Sequence, residues 1–322
     1  RLSFYLVALL VAATLNFIIP RAMPGDPVTM MFANASVQVT PERIAAMKEL
    51  MGFVDGPIYI QYLSYIKNIL SWELGTSIQF YPLSVNSLLG SAFGWSLFLA
   101  GTAVILSFSI ASVLGIFAAW KRGSKYDAFV TPGTLIIQAI PQMVIAMIAL
   151  FTFSIGLKWF PSGYAYTPGT IPDWTSWDFI KNVGYHAILP LFCATIVQIG
   201  GFLVNMRNNM INLLAEDYIT MAKGKGLSEN RVVFNYAARN ALLPSVTALS
   251  MSLGMAIGGQ LIIEMIFNYP GLGTVLLNAI HARDYQVLQG QLIIMTMFML
   301  CFNLMADMLY MILDPRLRTG GK

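Results

Sequence analysis

Charge is scarce in this chain: Asp, Glu, Lys and Arg make up only 11% of its 322 residues, whereas a soluble domain carries about 25%. So little charge leaves too little polar surface to face water all round. The few charges also gather in short clusters, separated by apolar runs too long for a buried core helix. A soluble protein with an oversized core is thereby excluded. Cysteine is nearly absent: Cys193 and Cys301 both fall inside apolar runs, which excludes a disulfide framework and a cysteine metal site. The two histidines, His186 and His281, are solitary and read as interfacial or loop residues. No Gly-x-x-x-x-Gly-Lys-Ser/Thr phosphate loop occurs; neither Gly224-Lys225 nor Gly321-Lys322 is followed by Ser or Thr. Any nucleotide energy must therefore be supplied by another chain. No nucleophile–base pair stands out, so catalysis inside a membrane is poorly supported.

What is present is hydrophobic: 57% of residues are apolar and the mean hydropathy is +0.67. A spanning helix needs about 20 mostly apolar residues. Six runs qualify, within residues 2–20, 93–120, 129–157, 184–206, 242–263 and 287–313. The first is too long for the apolar core of a signal peptide, so an uncleaved span is favoured. The chain opens on Arg1 rather than Met, and a few preceding residues are expected. Pro141 lies near the middle of the third run, where a kink is expected.

Between the runs, residues 23–91 read as a largely extramembrane insertion. Thr40-Pro41-Glu42 has the pattern of an N-cap, a first-turn Pro and a first-turn acid, opening a helix that ends at Gly52. Ile58, Tyr62, Tyr65, Ile66 and Ile69 recur at helical spacing over residues 57–72. The stretch 75–90, rich in Ser, Gly, Pro and Asn, reads as loop. Residues 158–182, 207–241 and 264–286 read as further loops, and Pro315 ends the last span.

Orientation follows from Lys and Arg. With the N-terminus inside, the inner segments hold Arg1, Lys121, Arg122, Lys125, Arg207, Lys223, Lys225, Arg231, Arg239, Arg316, Arg318 and Lys322. The outer segments hold seven over far more residues: Arg21, Arg43, Lys48, Lys67, Lys158, Lys181 and Arg283. This asymmetry predicts six spans with both ends in the cytoplasm. It also explains the net charge of +4 as attraction to an anionic leaflet rather than to nucleic acid. The expected fold is an all-α polytopic membrane protein. It comprises a first span (1–22), an extracytoplasmic insertion (23–91), a core of five spans (92–313) with an inner loop at 207–241, and a cytoplasmic tail (314–322).

The inner loop is the informative one. Glu216 and Asp217 suit a helix N-terminus. Ile219, Ala222 and Leu227 give an apolar edge, and Ala222, Gly224 and Gly226 are small enough to admit another protein's backbone. Gly226 is placed to stop the helix and Ser228 to cap the next, which runs to about residue 242, where Pro244 marks the return to the membrane. The pattern describes a rigid knob projecting from the bilayer; an ordinary amphipathic surface loop fits the same spacing.

Glu216-Asp217-Tyr218, Ala222-Lys223-Gly224-Lys225-Gly226-Leu227 and Ala238-Arg239-Asn240-Ala241-Leu242-Leu243-Pro244 resemble the signature loop of permease subunits of ABC importers. More narrowly, the chain looks like the dipeptide/oligopeptide/nickel branch. Pro24-Gly25-Asp26-Pro27, Gly56-Pro57-Ile58-Tyr59-Ile60-Gln61-Tyr62 and Leu74-Gly75-Thr76-Ser77 are similar to motifs of that branch, as are Glu264 to Gly273, Arg283-Asp284-Tyr285 and Asp314-Pro315-Arg316. Three departures stand out: Lys223 replaces the usual Arg, which keeps the charge but loses the planar fork, Gly224 is an added glycine that loosens the helix, and Asn235-Tyr236-Ala237 stands where the branch often carries a His.

The resemblance implies a transport subunit of a prokaryotic inner or plasma membrane, not an enzyme, with no cofactor of its own and with ATP and Mg held by partner ATPases. It further implies a second homologous permease, two ATPase subunits or domains, and an extracytoplasmic solute-binding protein. The coupling loop would be carried by Glu216, Asp217, Tyr218, Ala222, Lys223, Gly224, Gly226 and Leu227. Di- or oligopeptides lead as cargo, with oligosaccharides or nickel as alternatives. Polar side chains inside spans favour a cavity or a partner; Gln138, Gln142, Gln198, Asn205, Gln260, Gln291 and Asn303 are candidates to line a pathway, and hydrogen bonding between helices is the competing role for each. An ion-coupled secondary transporter would call for charged pairs deep in the spans, which are nearly empty of charge.

Overall fold

The computed structural model describes residues 2–22 and 56–313. The expected helix at 41–52 and the Pro24–Pro27 and Asp314–Arg316 motifs lie outside them. In chain order the described helices are α1 (Leu2–Ala22), α2 (Ile58–Leu70), α3 (Val85–Trp120), α4 (Lys125–Ala139), α5 (Gln142–Ala149, continued by a π-helical turn Leu150–Gly156), α6 (Trp177–Leu214), α7 (Asp217–Gly224), α8 (Glu229–Arg231), α9 (Arg239–Gly259), α10 (Leu261–Ile266), α11 (Leu272–Ala282) and α12 (Tyr285–Leu313). A π-helical stretch, Val232–Ala238, joins α8 to α9.

Among the described residues α3, α6 and α12 are long and apolar enough to cross a membrane unaided. A fourth candidate is the pair α4 and α5, bent by 92° at Pro141. The expected kink is thus a sharp break. Pro141 has no N–H to continue the ladder, and it holds Ile140 in extended geometry (φ −74°, ψ 128°).

Several boundaries differ from the sequence expectation. Residues 85–90 are helical: Asn86 anchors the start of α3 by accepting from the Leu74 N–H and donating to the Trp72 carbonyl. Residues 177–183 and 207–214 belong to α6 rather than to loops. Pro244 does not end the second loop helix, because α8, the π-helical stretch and α9 run on without a break. Pro244 lies in the second turn of α9. The segment 264–286, read as loop, holds half of α10 and all of α11.

The chain divides into two compact units. The first comprises residues 1–96 and 270–300, the second residues 97–269 and 301–322. In the first unit α1 meets α2 through Phe17, which packs edge-on against Tyr62, and through the Thr14 and Tyr62 hydroxyls, 2.8 Å apart. Its polar centre is Asp284, fully buried after the left-handed Arg283 that ends α11. One carboxylate oxygen of Asp284 accepts from the Ser77 hydroxyl (2.6 Å) and from the Ile78 and Gln79 N–H groups (2.8 and 3.1 Å). The 76–84 loop, closed on itself by an antiparallel bridge between Thr76 and Ser84, is thereby pinned to the start of α12.

In the second unit small residues set the spacing of helices. A Cβ on Gly115 of α3 would stand 2.8 Å from the Leu203 carbonyl of α6. One on Gly200 of α6 would stand 2.8 Å from the Thr134 carbonyl of α4. The 158–176 connection is organised by His186, whose Nδ1 lies 2.9 Å from the Gly163 carbonyl, and by the Tyr164 N–H donating to the Phe267 carbonyl at 2.8 Å. His186 is thus a satisfied loop organiser. In the same connection the Thr175 hydroxyl and N–H hold the Asp173 carboxyl below its ordinary range.

Candidate functional site

The site is built where α6 ends and the chain turns twice. Glu216 takes the N-cap position of α7 with extended geometry (φ −75°, ψ 150°), and its carbonyl accepts from the Ile219 and Thr220 N–H groups. Its side chain makes no capping bond, so it acts through charge at the positive end of the helix. Gly226 adopts φ +74°, a left-handed conformation that only glycine takes without strain. Its N–H donates to the Lys223 carbonyl at 2.9 Å and closes the helix. Ser228 then precedes α8, with its carbonyl accepting from Val232. The sequence expectation of helix, glycine corner and second helix describes this geometry, except that Ser228 contributes no side-chain cap.

The faces of α7 are distributed differently from the sequence reading. Ile219 and Ala222, three residues apart and therefore on one face, are buried. They join a cluster with Ile116 and Ala119 of α3, Met206 and Met210 of α6, and Val232, Val233 and Ala237 of the π-helical stretch. The apolar edge expected from sequence packs inside this chain, and with it Ala222, one of the small residues expected to admit another protein's backbone. Leu227 packs against the same cluster. Tyr218 is half-buried, its hydroxyl accepting from Asn240 at 3.3 Å. The exposed face carries Asp217, Thr220, Met221, Lys223 and Gly224, with Met221 62% exposed. A Cβ on Gly224 would meet nothing within 4 Å, so no contact in this chain requires its smallness. Trp120 ties the second corner back to α3, its indole N–H donating to Glu229 at 3.3 Å.

Above this knob lies an ion pair that sequence reading missed. Arg207 on α6 holds Asp127 in the first turn of α4 with two parallel bonds, and both side chains are largely buried. The Gly123 N–H and the Thr131 hydroxyl complete the shell of Asp127. The available signal was a lone acid and a lone base, each at the margin of an apolar run.

The pathway candidates scatter. Gln138 is exposed on α4 with its amide over Gly200 and Gly201. Gln142 at the start of α5 donates to Gln260, between α9 and α10, at 3.4 Å. Gln198 turns back to the Ala194 carbonyl of its own helix. The Asn205 side chain accepts from Asn209 and from Ser245 of α9, both at 3.2 Å. Gln291, fully buried in the first unit, donates to the Leu272 carbonyl of α11. Asn303 is half-buried on α12. Among the described residues, the hydrogen bond that joins two of these candidates is the one from Gln142 to Gln260. Among the described residues no group of three or more His, Cys, Asp or Glu side chains is placed to hold a metal ion.

Residues 111–319 match the family described as the binding-protein-dependent transport system inner membrane component, and residues 1–93 match its N-terminal domain. A putative peptide permease protein of Brucella suis is 32% identical over 319 residues, 99% of this chain and 98% of that protein. The oligopeptide transport system permease protein AppB of Bacillus subtilis is 35% identical over 303 residues (94% and 93%). The dipeptide transport system permease protein DppB of the same organism is 29% identical over 314 residues (98% and 95%).

Proposed function

The chain belongs to the family of binding-protein-dependent transport system inner membrane components, and from that premise we propose that it forms one half of the pathway of an ATP-driven peptide importer. The relatives' names, all peptide, oligopeptide or dipeptide permeases, favour peptides as the cargo. In this reading α1, α3, the α4–α5 pair, α6, α9 and α12 are six spans, and both termini lie in the cytoplasm, in keeping with the Lys and Arg asymmetry. A second, similar permease completes the pathway. A solute-binding protein delivers cargo from outside, and the extracytoplasmic segments 23–91 and 158–182 are large enough to receive it.

The observation that carries this reading is the mounting of α7. Its apolar face is fixed to α3, α6 and the π-helical stretch, and its other face is left open. A helix held this way moves with the helices beneath it. ATP-driven closure of two ATPase subunits would push α7 and rotate α3, α6 and α9 as a body, switching access to the pathway from one side to the other. With no phosphate loop of its own, the chain conducts and does not hydrolyse.

The test uses the assembled transporter in proteoliposomes. Gly226→Pro, or Glu216→Lys combined with Asp217→Lys, is expected to leave membrane insertion intact and to abolish both peptide uptake and substrate-stimulated ATP hydrolysis. Normal stimulated hydrolysis in these variants would remove the 216–227 segment from the mechanism.

A further inference from the structure

The break between α4 and α5 falls in the middle of the third apolar run. Gln138, Ala139, Ile140 and Pro141 are all exposed in this chain. Among the described residues, the one backbone hydrogen bond within the break runs from the Ile140 N–H to the Ile137 carbonyl at 3.2 Å; the ladder restarts when Val144 and Ile145 donate to the Pro141 carbonyl. The carbonyls of Gln138 and Ala139 and the N–H groups of Gln142 and Met143 therefore have no partner within their helices. A second break faces it. Gln260 (φ −91°, ψ 14°) separates α9 from α10, is itself buried, and accepts from Gln142.

Irregular backbone at membrane depth is tolerated only where protein covers it or where it lines water; lipid supplies no hydrogen bonds. Where α3 and α6 cover one another they do so through a small residue, Gly115, whereas on the α4 side of the break α6 meets the Gln138 side chain through Gly200 and Gly201. The break instead carries glutamines, which favour a polar cavity. We propose that the α4–α5 break lines the aqueous pathway and binds the main chain of the passing peptide. The Gln138 amide offers a donor and an acceptor, the Gln142 amide keeps its oxygen and one N–H beside its bond to Gln260, the open carbonyls accept and the open N–H groups donate. They match the alternating N–H and C=O of an extended peptide, whatever its side chains. The proposal rests on the importer reading above and adds where the cargo touches this chain and which part of the cargo is recognised.

The test places single cysteines at Gln138, Gln142 and, as an exposed apolar control within the regular part of α5, Ile148, in a Cys193→Ala/Cys301→Ala background of the assembled transporter in nanodiscs. The probe is a charged, membrane-impermeant methanethiosulfonate. Gln138→Cys and Gln142→Cys are expected to react roughly tenfold or more faster than Ile148→Cys, since water must reach a break that lipid cannot cover, and saturating tripeptide should slow both. Reaction at the Ile148→Cys rate, with ATP-driven peptide uptake intact, would show the break covered by the partner permease and overturn the proposal. Loss of all ATP-driven peptide uptake in the wild-type complex would instead overturn the importer reading, while the labelling still reports on the break. Hydrogen–deuterium exchange of the wild-type complex needs no variant: segment 138–143 should exchange well ahead of 148–155, and equal protection would also overturn the proposal.

Discussion

Arg207 grips both carboxylate oxygens of Asp127, Nε to Oδ1 at 2.7 Å and Nη2 to Oδ2 at 2.8 Å, across 80 positions of sequence. Two parallel bonds from a planar guanidinium fix direction as well as distance. The pair therefore sets how α4 leans on α6, one turn from the cluster that seats α7. Removing one partner of a largely buried pair leaves a charge without compensation. Arg207→Ala is expected to cost about 3 kcal/mol, read as a lower melting temperature of the purified protein. Arg207→Lys should lose less, because the charge remains and only the fork is gone. The double variant Asp127→Ala/Arg207→Ala should be milder than Arg207→Ala alone.

The two faces of α7 should separate stability from coupling. Ile219 is fully buried, and Ile219→Ala is expected to cost about 2–4 kcal/mol by opening a cavity. Met221, 62% exposed on the opposite face, touches none of that packing. Met221→Asp should change the stability by no more than about 0.5 kcal/mol yet lower substrate-stimulated ATPase activity in the complex. Unchanged activity would show that Met221 is not part of the docking face.

Close approach of α3 and α6 makes Gly115 a sensitive position. A methyl there meets the Leu203 carbonyl at 2.8 Å and Met206 Cβ at 3.0 Å, and neither is the free end of a flexible chain. Gly115→Ala is expected to destabilise by about 1–3 kcal/mol through overpacking. Gly133→Ala, inside α4 where a Cβ meets nothing within 4 Å, is the matched control and should melt at or somewhat above the wild type, because alanine favours the helix.

Asp284 gives a fourth test, confined to the first unit. Asp284→Ala removes the acceptor from the Ile78 and Gln79 N–H groups and the Ser77 hydroxyl, at about 3 kcal/mol for buried donors left open. Asp284→Asn retains an acceptor and should cost less. Proteolysis within 76–84 of the folded protein is expected to quicken in the order wild type, Asp284→Asn, Asp284→Ala.

Local signals in the sequence were read well where one residue imposes its own geometry. Pro141 withholds the N–H that would carry the ladder across 139–142, and Gly226 permits a left-handed stop. The period of Ile58, Tyr62, Tyr65 and Ile69 describes α2 before any partner is known. What sequence reading missed was decided by groups distant in the chain. Residues 85–90 look like loop by composition and become helix because Asn86 is held at both ends by the segment before it. Ile219 and Ala222 look like an edge offered outward; their direction depends on where α3 and the π-helical stretch lie.

By itself the sequence determined that this chain is apolar and helical, where its runs begin and end to within a few turns, and that it carries no phosphate loop. Those properties follow from composition, period and the local conformations of Pro and Gly. Only the tertiary structure decided that Arg207 belongs to Asp127, that Asp284 holds residues 77–79, and that the Pro141 break meets Gln260. Each of these joins positions tens to hundreds of residues apart, and which of many possible partners a buried polar group takes is settled only when the helices have packed.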